Sequence, residues 1–275
     1  GQGSQYPNML RDLSLAFDEV RETIEAVDLA LADRFRDGLS RFVYPVPVFR
    51  EEERQRQGKE LAQTDRAQPA LGAADAAMAR LLAELGLAPQ AAAGHSYGEY
   101  VALWAAGVFD LETLALLSEA RGRAIIEAAR EDLGVMAAVR APAEAISTHL
   151  AGIEGVWIAN LNAPAQTVIS GTRAGVERAL GRLEAAGLSG RMLPVACAFH
   201  TPLVAPAREK LADVLAMQGF ARPGIPVFSN TTAAPYPGEP EAVRDILAQH
   251  LVKPVSLWQW DLVGHWYQFV YVTAD

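Results

Sequence analysis

Ser96 stands in Gly94-His95-Ser96-Tyr97-Gly98-Glu99, a Gly-x-Ser-x-Gly run of the kind that presents a serine as a nucleophile. In that pattern a strand ends, the chain turns sharply, and a helix begins behind the serine. Glycines are expected on both sides, because a Cβ at either place would crowd the adjoining strand or helix. The hydroxyl then lies at a helix N-terminus, where backbone N–H groups and the helix dipole favour a developing oxyanion. Residues 91–93, all alanine, read as the strand before the turn. Residues 100–106, with Val101, Leu103, Trp104 and Ala105, read as the helix after it.

An activated serine needs a base, and the chain has five histidines. His95 adjoins the nucleophile, where neighbouring side chains diverge. His149 lies in a short helical stretch, residues 143–150, and reads as solvent-facing. His250 closes a helical run, and His265 sits in an aromatic tail. His200 is placed differently. It ends the apolar stretch 192–199, which reads as a strand running into a loop, and Thr201-Pro202 follows it. A histidine at a strand's end, held by a Thr-Pro pair, can face a cleft. No acidic third member stands out: Asp110 reads as a helix N-cap and Asp132 falls in a Glu-Asp-Leu-Gly turn. Arg121 lies on a helix expected over 111–129. Taken alone it reads as a solvated surface charge.

Six motifs occur together and in order: Gly1-Gln2-Gly3-Ser4-Gln5; Gln68-Pro69-Ala70-Leu71; the Ser96 run; Arg121-Gly122; Asn162-Ala163-Pro164 with Val168-Ile169-Ser170-Gly171; and Ala198-Phe199-His200. The set resembles the malonyl-CoA:acyl carrier protein acyltransferase family, and within it the acyltransferase domain of a polyketide synthase, over residues 1 to about 258. The resemblance implies ping-pong transfer of a malonyl extender from malonyl-CoA through a malonyl-serine ester. The acceptor would be the phosphopantetheine thiol of an acyl carrier protein, in polyketide and antibiotic biosynthesis. It implies that Ser96 and His200 work as a dyad, that backbone N–H groups of Gln2 and Tyr97 form the oxyanion hole, and that Arg121 clamps the free carboxylate. A guanidinium suits that task, since it offers two parallel donors and keeps its charge when desolvated. The backbone carbonyl of Lys253, in Lys253-Pro254-Val255, would orient His200. Phe199 would favour malonyl over methylmalonyl by roughly 1–3 kcal/mol. Gln68 and Asn162 are expected to line the pocket, with turn or cap roles as the other reading.

Two residues depart from the family pattern. Cys197 stands where a histidine or tyrosine is common, and Tyr97 where an aliphatic residue or glutamine is usual; an iterative or otherwise unusual synthase subclass fits both. The resemblance also implies neighbouring domains such as a ketosynthase, no metal and no bound cofactor, and a first strand preceding Gly1. Beyond Trp258 the residues do not follow the family's helix and Gly-Pro-Gly ending. Carrier proteins are typically acidic, so Arg173, Arg178, Arg182 and Arg191 are the expected docking patch. A serine hydrolase or thioesterase, a methylmalonyl or other-acyl transferase, and a non-catalytic scaffold are the competing readings.

The elements that must position these residues fall into two kinds. Residues 1–134 alternate alanine-rich helices, such as 70–85, with short apolar strands, as in a layered α/β domain with a parallel sheet. Residues 135–195 read as strand, helix, two paired strands, helix and strand. This is the βαββαβ order of a ferredoxin-like unit. The expected architecture is α/β, with a hydrolase-like large subdomain (1–134 and 196–275) carrying an inserted ferredoxin-like one. Ser96 and His200 then lie on different sides of the insertion, which puts the site in a cleft between two lobes. The stretch 42–57 reads as a solvated loop leading into a helix.

The balance of residues agrees with a water-soluble enzyme: 275 residues, 51% hydrophobic and 21% charged, can bury a sizeable core. No apolar stretch reaches membrane-spanning length. A net charge of -9 argues against general nucleic-acid binding. The single cysteine excludes an internal disulfide and a cysteine-rich zinc site. With no charged-then-apolar leader at Gly1, the expected location is the cytoplasm.

Overall fold

The computed structural model describes residues 2–128, 134–193, 195 and 197–257. The first half is more helical than expected. It runs through α1 (Arg11–Ala16), α2 (Asp18–Ala30), α3 (Ser40–Val43), α4 (Glu51–Leu61) and α5 (Thr64–Glu84), then β1 (Ala92–Ala93), α6 (Gly98–Ala105) and α7 (Leu111–Ala128). The stretch 42–57 is therefore helix, loop and helix. Helix α5 begins six residues before the expected start and carries Pro69 inside it. Burial of the apolar Ala67, Ala70 and Leu71 around it opposes the loss of the backbone hydrogen bond that the proline removes. Asp110 does cap α7, accepting the Thr113 N–H at 2.8 Å, and that bond holds its carboxyl below the usual aspartate value.

The second region follows as β2 (Val135–Val139), α8 (Ala143–Leu150), β3 (Val156–Ala163), β4 (Gln166–Gly171), α9 (Arg173–Ala185) and β5 (Gly190–Met192). A single 3-10 turn (Pro202–Val204), α10 (Ala205–Ala216), β6 (Val227–Phe228), α11 (Pro240–His250) and β7 (Val255–Ser256) complete the described chain. Strands β5, β2, β4 and β3 pair antiparallel in that spatial order, which is the ferredoxin-like arrangement. Strand β7 adds to β3 in parallel, so the sheet recruits a strand from beyond the expected boundary at 195. The other sheet is small: β1 and β6 pair in parallel through Ala92–Val227 and Ala93–Phe228.

Period-two alternation gives the mixed sheet two apolar faces. Val135, Ala137, Val139 and Ile169 pack with Ile146, Val176, Ala179 and Leu183 of α8 and α9 as one core. Met136 and Val168 point the other way, into the main core with Tyr97, Leu103, Leu117 and Phe199. That second face is the one that meets the site. Among the described residues no helix is long and apolar enough to cross a membrane.

Candidate active site

Gly94, between β1 and α6, lets the chain turn at Ser96. A Cβ there would meet the backbone of Gly98 and Glu99, whereas a Cβ at Gly98 would meet nothing within 4 Å. The steric demand for glycine is therefore one-sided, contrary to the expectation for both. Ser96 takes φ 52°, in the left-handed region that disfavours side chains. Its N–H donates to Oδ1 of Asn230 at 2.7 Å.

The base comes from the chain after β5 and reaches the same face of the mixed sheet as Ser96. Strand β5 ends at Met192, so of the expected strand over 192–199 the described residues 193, 195 and 197–199 are not strand, and His200 follows them at φ 60°. Its N–H donates to the Leu251 carbonyl at 3.2 Å. Its Nε2 lies 2.9 Å from Ser96 Oγ, and its Nδ1 lies 3.0 Å from the His250 carbonyl and 3.1 Å from that of Lys253. Carbonyls only accept, so Nδ1 carries the proton and Nε2 is the acceptor for the serine hydroxyl. Burial first, and then the Arg121 charge, hold the His200 pKa down at about 3 against the opposing pull of the two carbonyls. A neutral imidazole is thus the resting form. The carbonyl of His250, which the sequence did not single out, supports the ring beside that of Lys253.

Gln2, His95, Ser96, Arg121, Asn160, Asn162, Phe199 and His200 share one cleft with Tyr97, Met136, Val168, Leu193 and Val195; it encloses about 570 Å³ counted out to solvent. Gln68 and Cys197 do not line it. Gln68 is buried behind it, donating to Oε1 of Gln2 at 3.1 Å, while Gln2 Nε2 donates to Thr64. Gln68 therefore steadies the loop that carries Gln2. Burial pushes the Cys197 thiol up to about 12, which leaves it no thiolate near neutrality. Asn162 reaches His95, with Oδ1 3.0 Å from His95 Nε2. Tyr97 turns its side chain inward, stacked on Tyr100 with ring centroids 5.8 Å apart and hydroxyl 2.6 Å from Ser118 Oγ. A Cβ on Gly72 would strike that hydroxyl, so the unusual tyrosine is accommodated by a glycine on α5.

Arg121 is not a surface charge. It is buried on α7, and its Nε and Nη2 have no hydrogen-bond partner. The guanidinium carbon lies 5.6 Å from the centre of the Tyr100 ring. A buried cation with unused donors in a cleft is costly unless an anion completes it. Arg173, Arg178 and Arg182 lie on α9, which covers the sheet face opposite the one lining the cleft. Arg178 and Arg182 bond the backbone carbonyls of Glu154 and Ala151. Asp132 and the tail after Trp258 lie outside the described residues.

A family model described as an acyl transferase domain matches residues 1–260. Among curated proteins, a polyunsaturated fatty acid synthase subunit of Thraustochytrium sp. is 33% identical over 93% of this chain. The malonyl CoA-acyl carrier protein transacylase of Escherichia coli is 36% identical over the same share. The chain spans 9% of the length of the first and 80% of the second. Among solved structures, a malonyl transacylase in complex with a type II polyketide acyl carrier protein superposes with TM-score 0.83 at 36% identity, covering 94% of this chain and 80% of that one.

Proposed function

This chain belongs to the acyl transferase domain family, and on that premise we propose that it transfers a malonyl group from malonyl-CoA to the phosphopantetheine thiol of an acyl carrier protein. The observation that carries the reading is Arg121, a buried guanidinium with unpaired donors in the cleft that holds the Ser96–His200 contact. An esterase of uncharged acyl groups has no use for it. A malonyl carboxylate would take both donors, and by neutralising Arg121 it would also remove one of the causes that depress the His200 pKa. Substrate binding would thus strengthen the base that the next step needs.

His200 Nε2 takes the Ser96 proton as Oγ attacks the thioester carbonyl. The oxyanion is held by the backbone N–H groups of Tyr97 and Gln2. The C–S bond breaks, the proton passes to the CoA sulfur, and malonyl-Ser96 remains. The carrier thiol enters, gives its proton to His200 and attacks the ester carbonyl; the C–O bond to Ser96 breaks, and the proton passes from His200 to Oγ, restoring the serine. Phe199, beside His200 in the cleft, leaves little room at the α-carbon and favours malonyl over methylmalonyl. Donor and carrier belong to the cytoplasm, and the chain would serve as the loading unit of a polyketide synthase beside a domain such as a ketosynthase.

The test is intact mass after brief incubation with malonyl-, methylmalonyl- or acetyl-CoA. A malonyl adduct is expected in the wild type and none in Ser96→Ala, with little from the other donors. Arg121→Ala should lose about 100-fold or more in malonyl acylation while acetyl acylation changes little. Equal malonyl and acetyl rates in the wild type would sink the clamp. Steady release of free malonate without an adduct would favour a hydrolase.

A further inference from the structure

The acyl-transfer scheme leaves one buried carboxyl beside the nucleophile unused. Glu99 lies on α6, three residues after Ser96, with no exposed surface. One carboxyl oxygen accepts from the Asn230 N–H and the other from the Tyr236 hydroxyl. Asn230 in turn offers its side-chain oxygen to the Ser96 N–H, and its backbone carbonyl accepts the N–H of Ser256 on β7 at 2.9 Å. Glu99 Oε1 is also 3.9 Å from Nε2 of His250, the residue whose carbonyl accepts from His200. One side chain therefore touches the segments that hold both partners of the dyad.

A reason for such a hub exists in the backbone. Ser96 at φ 52° is strained by about 1–2 kcal/mol, and strain of this kind persists only where the surroundings over-determine it. The Asn230 oxygen is one of those restraints. A buried carboxyl is itself costly, and burial pushes the Glu99 pKa up to about 8, with the Tyr236 and Asn230 bonds and the Arg121 charge opposing. Its retention in an apolar helix calls for a compensating role.

We propose that Glu99 is a positioning residue: its two oxygens hold Asn230 and Tyr236 so that the Asn230 side chain fixes the Ser96 amide and, with it, the angle of attack. The inference rests on the acyl-transfer reading. Glu99→Ala and Asn230→Ala are each expected to slow malonyl-enzyme formation at saturating malonyl-CoA by about 10- to 100-fold. The KM should stay within about threefold, because Arg121 is untouched. Glu99→Gln retains an acceptor for the Asn230 N–H and should recover to within about fivefold of wild type. Since Glu99→Ala removes a buried group and can fail to fold, Asn230→Ala and Glu99→Gln, with melting temperatures measured alongside, suffice to decide. A folded Asn230→Ala that acylates at the wild-type rate overturns the proposal, as does a folded Glu99→Gln with the full loss. Labelling of Ser96 by a fluorophosphonate gives a second readout. If the wild type forms no malonyl adduct, the acyl-transfer reading fails, while the labelling order of the same variants still tests the positioning role.

Discussion

Ser96 and His200 meet at 2.9 Å, and both take left-handed φ, yet they are held in opposite ways. The serine arm is built by neighbours in sequence: Gly94 admits the close approach of Gly98, and α6 starts at once behind the nucleophile. At the serine's own N–H the Asn230 bond reaches across the molecule, as the pairing of β1 with β6 does one step earlier in the chain. The histidine arm has no local pattern. Its ring is set by carbonyls of residues 250 and 253, and its N–H by that of 251, all about fifty positions away. The first arm depends on side-chain size at one glycine. The second depends on where a distant backbone lies and is nearly indifferent to the side chains there.

That contrast can be broken most severely at Gly94. Gly94→Ala should cost about 3 kcal/mol or more of stability and at least about 1000-fold in acylation rate, read by thermal melting and adduct formation. Gly98→Ala, with open space around the new methyl, should leave the rate within about threefold and raise the melting temperature slightly, because alanine favours helix. Equal damage at both positions would restore the two-sided account of the elbow.

A second test uses pH. With the His200 pKa near 3, the imidazole stays neutral well below pH 6.5, so kcat/KM should lack a limb there. Stability behaves differently. His95, His200 and His250 are all buried with lowered pKa, so below pH 6.5 the unfolded chain binds protons that the folded one refuses. Glu99 and Asp75, with pKa raised to about 8 and about 6, oppose this by taking protons in the folded chain. The three histidines outnumber them, so the melting temperature should fall as pH drops from 6.5 while the rate at low temperature holds. A kinetic limb centred near 6.5 in the folded enzyme would show His200 to be solvated. The smallest effect is expected at Lys253, whose side chain is exposed and whose carbonyl does the work. Lys253→Ala should keep kcat within about twofold, and a tenfold loss would mean that the side chain matters.

Much of this arrangement is legible in the chain. The Gly-x-Ser-x-Gly turn with its strand and helix is a local steric statement, and His200 emerges by elimination among five histidines. The βαββαβ order of the mixed sheet is readable because short apolar runs, such as Val135–Val139, take turns with helices whose buried positions follow the 3.6-residue period. The helical excess of the first half is not readable in the same way, since a helix such as α4, with Leu61 as its buried residue, carries almost no apolar stripe. Glu99 is visible in the motif but gives no sign of its partners, because Asn230 and Tyr236 lie more than 130 positions away. Gln68 and Cys197 stand one layer farther from the substrate than expected, for sequence order does not tell a residue that lines a cleft from one that braces the lining.

What the amino-acid sequence determined by itself was the chemistry within reach: a serine that a tight turn can expose, and an arginine able to grip a carboxylate. What only the tertiary structure decided was whether those groups are dry, paired and aimed. Arg121 became an unsatisfied buried cation only when α7 packed against its neighbours. His200 acquired its proton on Nδ1 only when the chain after α11 brought two carbonyls to it. The physical reason is one of range. Turn sterics act over a few bonds and are written in adjacent residues, whereas desolvation and hydrogen-bond direction depend on atoms that folding alone brings together.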